Sequence, residues 1–154
     1  MRITRQQMFM EIAHTVAKRS TCFRLNVGSV VVINNRIVSI GYNGRPAGQP
    51  HCEGNDCPGR DGCHETIHAE DNALRHVPSE LKCESCDVYV TDSPCQGCAE
   101  KLIASNVRRV FFGKPYRITE SLDWLMERGV EVYQVTPAGY VIDWKTRRIV
   151  DVAP

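Results

Sequence analysis

Residues 87–112 read DVYVTDSPCQGCAEKLIASNVRRVFF, and the order of elements in this stretch decides the architecture. Asp87 to Thr91 has the composition of a short buried strand, Pro94 to Ser105 reads as a helix, and Arg108 to Phe112 as a second strand. Working outward, Glu120 to Arg128 is a further helix, capped by Gly129, and Val130 to Val135 a last core strand. Upstream, Thr66 to His76 reads as a helix ended by Pro78. Strands separated by helices after residue 65 indicate an α/β layer architecture.

Nearer the start, Thr4 followed by Gln7 has the form of a capping box. Met8, Phe9, Ile12, Ala13 and Val16 then recur at helical spacing, so the charged segment from Arg2 to Arg19 is expected to form a surface helix. Val27 to Ile33 and Arg36 to Tyr42 read as strands, joined by the turn signal Asn34-Asn35, and this hairpin makes the sheet a mixed one. Between Gly41 and Gly62, eight glycines and prolines from Gly44 onward forbid a long regular element. A loop of that length inside a compact domain is expected to be ordered by function or by a metal. Gly139 to Val152 is expected to form a polar, peripheral hairpin around Lys145-Thr146. The whole is one domain, 1–154, with an insertion at about 41–63 and a C-terminal hairpin at about 139–152.

A chain of 154 residues, 42% hydrophobic and 24% charged, has the profile of a soluble globular protein able to bury its own core. A formal net charge of +1 gives no general attraction to nucleic acid or membrane. No apolar run has transmembrane length and no signal segment is present at the start, so a cytoplasmic location is the expectation. Eight cysteines in a reducing compartment point to metal binding or catalysis rather than to disulfides. Cys83 and Cys86 are read as non-ligands, because Cys86 begins a buried strand and no spare partners remain for them.

Two short motifs carry the chemistry. His68-Ala69-Glu70 and Pro94-Cys95-Gln96-Gly97-Cys98 together offer one nitrogen and two sulfur ligands, the set of a catalytic zinc that keeps a fourth position for water. Cys95 and Cys98 fall one turn apart at a helix start, where the dipole and free N–H groups favour thiolates. Glu70, two residues from His68, is placed to move a proton without being a ligand. An isolated C-x-x-C is more often a structural zinc knuckle, and a lone histidine is usually a packed or solvated residue. Here, however, H-x-E opens one helix and P-C-x-x-C another, a combination that resembles the signature of zinc deaminases.

Over about residues 5 to 135 the sequence resembles the cytidine deaminase superfamily, and within it the deoxycytidylate (dCMP) deaminases of bacteria and phages. The resemblance rests on Arg19 to Cys22, Val27-Gly28, the G-Y-N-G-x-P-x-G stretch from Gly41 to Gly48, His51-Cys52, Cys57, Cys63, Thr66 to Glu70 with Asn72-Ala73, Pro94 to Cys98, and Tyr116-Arg117. It implies a three-layer α/β/α cytidine deaminase-like fold with a mixed, about five-stranded central sheet. It also implies hydrolysis of dCMP to dUMP and ammonia, with zinc-activated hydroxide attacking C4 and Glu70 as proton shuttle. The Ala69 amide and the Ser93 carbonyl are the candidate contacts to the base edge and Asn43 to the deoxyribose. Arg24, with Asn26 and Tyr116, is the candidate for the 5′-phosphate; the alternative for Arg24 is a solvated surface charge.

The same resemblance implies a homohexamer activated by dCTP and inhibited by dTTP, with magnesium accompanying the triphosphate. Asn43, Gly44, Arg45 and Gly48 are the candidate effector residues, Arg45 either meeting a triphosphate or pointing into water. Cys22, Cys52, Cys57 and Cys63 form a candidate structural zinc site, in which His51 or His64 is able to replace one cysteine. Glu65 stands where the related enzymes carry arginine. Two rival functions are a deaminase acting on a polynucleotide and a zinc-structured binding module without catalysis. The first needs a basic groove and aromatic platforms, against which stand the near-zero charge and the 7% aromatic content. The short basic patches Arg108-Arg109 and Lys145 to Arg148 read as solvated.

Overall fold

The structure, a computed structural model, describes residues 1–52 and 66–154. Its elements run α1 (Arg5–Ala17), β1 (Gly28–Ile33), β2 (Arg36–Tyr42), α2 (Ala69–Arg75), a 3-10 turn at Ser79–Leu81, β3 (Cys86–Asp92), α3 (Gln96–Ala104), β4 (Val107–Lys114), α4 (Glu120–Glu127), β5 (Glu131–Val135) and β6 (Val141–Asp143). The strands form one six-stranded sheet in the order β2-β1-β3-β4-β5-β6. β3, β4 and β5 are parallel, while β2, β1 and β6 pair antiparallel, so the sheet is mixed. The count exceeds the expected five because the C-terminal hairpin places three residues, Val141–Asp143, beside β5.

The β1–β2 turn occurs at Asn34-Asn35, both with positive φ (49° and 62°), a conformation that asparagine tolerates and that matches the twist of a tight hairpin. α1 is capped by Thr4, whose side chain accepts from the Gln7 N–H, while the Gln7 side chain turns away to Glu11. The cap is thus half of the expected box. The buried face of α1 is Gln6, Phe9, Met10, Ala13, Val16 and Ala17, with Met8 exposed, so the stripe is rotated from the expected one toward Met10.

Three layers result. α1 covers one face of the sheet, over Val30, Val32 and a row of rings from Phe9 through Tyr89 and Phe111 to Tyr133. The last three are cross-strand neighbours, with centroids 4.4 and 5.1 Å apart, which fixes the register of the parallel strands on that face. α2, α3 and α4 cover the other face, over Val31, Val88, Val90, Val110, Phe112 and Val132. Both crossover helices of the parallel unit lie there, so the C-terminal end of β3 opens toward the starts of α2 and α3. Among the described residues no helix is long and apolar enough to cross a membrane.

Arg109 corrects one expectation. It is buried, and its guanidinium donates to both carboxylate oxygens of Asp87 on the adjacent strand, so half of the supposed solvated patch is an internal ion pair. Arg108 stays at the surface.

Candidate active site

α2 begins at Ala69, three residues later than expected, because Ile67 is taken by a two-bond bridge to Gly44. His68 becomes the N-cap residue in an extended conformation, and this turns its ring outward toward α3. Glu70, one residue into the helix, points inward and is 4% exposed. Cys95 caps α3, its sulfur accepting from the Cys98 N–H at 3.4 Å in the place where an oxygen usually serves. A thiolate there faces the positive end of the helix.

The His68 Nδ1 lies 3.4 Å from the Cys95 Sγ and 3.3 Å from the Cys98 Sγ, and the three atoms all fall within 4.8 Å of one another. A tetrahedral zinc with Zn–S of about 2.3 Å and Zn–N of about 2.05 Å holds nitrogen and sulfur about 3.5 Å apart. The residues therefore fit that ion in both donor chemistry and spacing. Among the described residues no other group of three such side chains converges in this way.

Electrostatics agree with a metal-binding trio. The Cys95 thiol is pulled down by hydrogen bonds from the Cys98 thiol, from His68 and from the Cys98 amide, which together outweigh its burial. Cys98 is pushed up by the neighbouring Cys95 sulfur and by burial, so the metal-free pair keeps one proton that a dication displaces. His68 is raised, first by its hydrogen bond to Cys95. Burial raises the Glu70 carboxyl above the ordinary carboxylate range, against the opposing pulls of a hydrogen bond to Cys98 and the charge of His68.

Above the trio opens a cleft of about 630 Å³, the size of a small-ligand site. Of the residues singled out in the sequence, Arg24, Asn43, Ala69, Ser93 and Tyr116 line it, together with His68, Glu70 and Cys95, and Cys22 and Arg117 reach it as well. Asn26 is exposed and lies outside the lining. The Asn43 amide is already committed: its oxygen accepts from the Ser20 hydroxyl (2.6 Å) and the Val27 N–H (2.9 Å), and its nitrogen donates to the Leu25 carbonyl (2.7 Å). It shapes the 20–27 wall of the cleft. The Ser93 hydroxyl accepts from the Tyr116 N–H at 2.7 Å, and the Ser121 hydroxyl donates to the Pro94 carbonyl at 2.6 Å, so the segment leading into the P-C-x-x-C motif is held twice from the far wall.

Several lining residues carried no motif. Asp92, Ile118 and Glu120 all reach the cleft. For Asp92 a signal exists: it ends a parallel strand, and open α/β sheets bind ligands beyond the carboxyl ends of such strands. Ser121 is one helix turn in a polar-apolar pattern, and nothing local marks it.

Residues 3–114 match the family model of the cytidine and deoxycytidylate deaminase zinc-binding region. The chain belongs to that family. ComE operon protein 2 of Bacillus subtilis is 36% identical over 149 residues, which are 95% of this chain and 79% of that protein. Deoxycytidylate deaminase of Schizosaccharomyces pombe is 32% identical over 139 residues, 84% of this chain, and the chain spans 43% of that enzyme's length. Among solved structures, dCMP deaminase from the cyanophage S-TIM5 in complex with dCMP and dUMP superposes with a TM-score of 0.74 at 33% identity, covering 87% of this chain and 98% of that one. The fold and the dCMP deaminase resemblance read from the sequence both hold.

The remaining expectations for this deaminase-family chain are placed as follows. Cys52 is buried and Cys22 half-buried, while His51 is exposed. Cys57, Cys63, His64 and Glu65 lie outside the described residues. In the 41–48 loop, Gly44 is buried beside the Thr21 hydroxyl, Arg45 is half-buried and Gly48 is exposed at φ +84°. Cys83 is exposed and Cys86 is buried at the start of β3.

Proposed function

We propose that the chain is a zinc-dependent dCMP deaminase, converting dCMP and water to dUMP and ammonia. The observation that carries this reading is the buried Glu70 carboxyl set against the His68–Cys95–Cys98 triangle at the base of a nucleotide-sized cleft. Zinc held there supplies an activated water and a positive centre for developing charge. Glu70 accepts one proton from the attacking water at a carboxylate oxygen and delivers it to ring N3, then accepts the second and delivers it to the departing amine, which leaves as ammonia. Burial suits it to this, since it raises the carboxyl above the ordinary carboxylate range and so makes the protonated form easier to reach. The Ala69 N–H and Ser93 carbonyl orient the base edge, and Arg24, with Tyr116, receives the 5′-phosphate beside the 20–27 wall. Asn43 acts by holding that wall.

Activation by dCTP and inhibition by dTTP, with magnesium, belong to the same proposal through the loop from Asn43 to Gly48, as do a hexameric assembly, a cytoplasmic location and a second zinc at Cys22, Cys52, Cys57 and Cys63. What supports them is the family membership and the placement of that loop beside the site.

The deciding experiment measures ammonia release by zinc-loaded protein from dCMP, with and without dCTP, beside cytidine and a cytosine-containing oligonucleotide. Turnover of dCMP that Glu70→Gln lowers about 10³-fold with zinc retained is the expected result. Turnover of the oligonucleotide in preference to dCMP would refute the substrate, and full activity in Glu70→Gln would refute the proton shuttle.

A further inference from the structure

We propose that Asp71 is a positioning residue for the metal centre, clasping α2 to α3 through Lys101 one helical turn beyond the ligands. The proposal rests on the reading of His68, Cys95 and Cys98 as ligands. Residues three apart on a helix share a face, so His68 and Asp71 line up on one helix as Cys98 and Lys101 do on the other. The two helices therefore meet at two successive levels. At the first, His68 Nδ1 approaches the Cys98 Sγ at 3.3 Å. At the second, Lys101 Nζ donates to Asp71 Oδ2 at 2.6 Å.

The carboxylate is held ready from its own helix. Arg75 donates to Oδ1 at 3.0 Å and to Oδ2 at 3.4 Å, and the Asp71 side chain is only 13% exposed. Burial works against its charge, but the hydrogen bonds and charges of Arg75 and Lys101 prevail and keep it ionised. Lys101 in turn is raised, chiefly by its hydrogen bond to Asp71, so both partners of the pair are charged.

A clasp is needed because the two ligand-bearing helices are anchored separately. α2 has seven residues, too few to stand alone, and hangs on β2 through Ser39 Oγ to Ala73 O (2.6 Å) and Asn72 Nδ2 to Tyr42 O (3.0 Å). The start of α3 is tied instead to α4, through Ser121 and Pro94. The separation of His68 from the two thiols is thus set by how two independently hung helices meet. An ion pair whose Lys101 end is 53% exposed adds little to global stability, so its effect concentrates on metal geometry.

The test uses Asp71→Asn and Lys101→Met, with Lys101→Arg as the conservative rescue. Zinc affinity is read by competition with a chelator, ligand geometry by the visible spectrum of the cobalt-substituted protein, and folding by the urea midpoint of the metal-free form. Asp71→Asn and Lys101→Met are expected to bind zinc about tenfold more weakly and to shift the cobalt bands, with the urea midpoint near that of the parent. Lys101→Arg is expected to restore both. Should Asp71→Asn fold poorly, Lys101→Met, altered at a half-exposed position, carries the test. Zinc binding by the parent with unchanged affinity and cobalt spectrum in Lys101→Met overturns the clasp alone, whereas a parent chain that binds no zinc overturns the ligand reading beneath it.

Discussion

Gly41→Ala offers the sharpest structural test of how the site is held. Gly41 lies in β2 under α2, and a β-carbon built there would sit 2.4 Å from the Ala73 nitrogen and 2.5 Å from the Ala69 carbonyl oxygen. Ordinary contact begins at 3.4 Å, and both obstacles are backbone, so α2 must retreat by about 1 Å. Ala69 is bonded to both His68 and Glu70, so the retreat is transmitted to the ligand and to the proton shuttle together. Metal–ligand distances tolerate only about 0.2 Å, and a misplacement of about 1 Å costs on the order of 10²-fold in rate. Gly41→Ala is therefore expected to lose about 1–3 kcal/mol of stability, to weaken zinc binding, and to lower kcat on dCMP about a hundredfold.

Gly97→Ala is the control, since it lies between the two ligand cysteines yet its added carbon meets nothing within 4 Å. Alanine in α3 should add up to about 1 kcal/mol and leave turnover intact. The assay pairs steady-state deamination with chelator competition and urea unfolding on both variants. Full activity and zinc affinity in Gly41→Ala, with loss in Gly97→Ala, would refute the argument that backbone approach between β2 and α2 sets the site.

Two further expectations concern the frame. Burial, and then the hydrogen bond its hydroxyl donates to Glu131 at 2.7 Å, raise Tyr133 from 10.0 to about 12. A folded-state value above the unfolded one means that its contribution to stability is complete below about pH 10 and is lost as pH rises toward 12. Urea midpoints measured from pH 8 to 11 should fall less steeply in Tyr133→Phe, the residual slope belonging to Cys86, which burial raises to about 11, and to Tyr89, which burial also raises. An identical slope would count against the assignment. Removing residues 150–154 deletes the Gln6 bond to the Val152 carbonyl (3.1 Å), the Arg109 bond to the Ala153 carbonyl (2.6 Å) and the packing of Val150 and Val152 on the α1 face. A loss of about 2–4 kcal/mol in urea unfolding with zinc retained is expected, and an unchanged midpoint would show the tail to be dispensable.

The β3-α3-β4 unit was legible because each of its elements is local: an apolar run, a proline-cysteine helix start, a second apolar run. The metal trio was legible for the same reason, since each motif carries its own helix start and the fold need only bring two such starts together. What escaped depends on distant partners. The delay of α2 to Ala69 comes from the bridge of Ile67 to Gly44, 23 residues away. The burial of Arg109 comes from Asp87, 22 residues away, which turns an apparent basic patch into an internal pair. The choice of Met10 over Met8 for the core face depends on how α1 lies across the sheet, and spacing alone admits either.

The G-Y-N-G stretch shows how a motif read for one purpose is explained by another. Gly41 is there because α2 passes within backbone contact of β2, and Gly44 because a side chain would strike the Thr21 hydroxyl, at 2.7 Å, just where the chain bridges to Ile67. Asn43 spends its amide on Ser20, Leu25 and Val27, locking the wall of the cleft. Three of the motif's residues thus build the entrance of the H-x-E helix whether or not an effector ever binds. Gly41, Asn43 and Gly44 have a structural role of their own, beside which the proposed effector contacts at Asn43, Gly44, Arg45 and Gly48 would be a further role of the same loop. If a triphosphate binds there, its leverage on the active site runs inward along this same segment, through the Gly44–Ile67 bridge, to His68 one residue on.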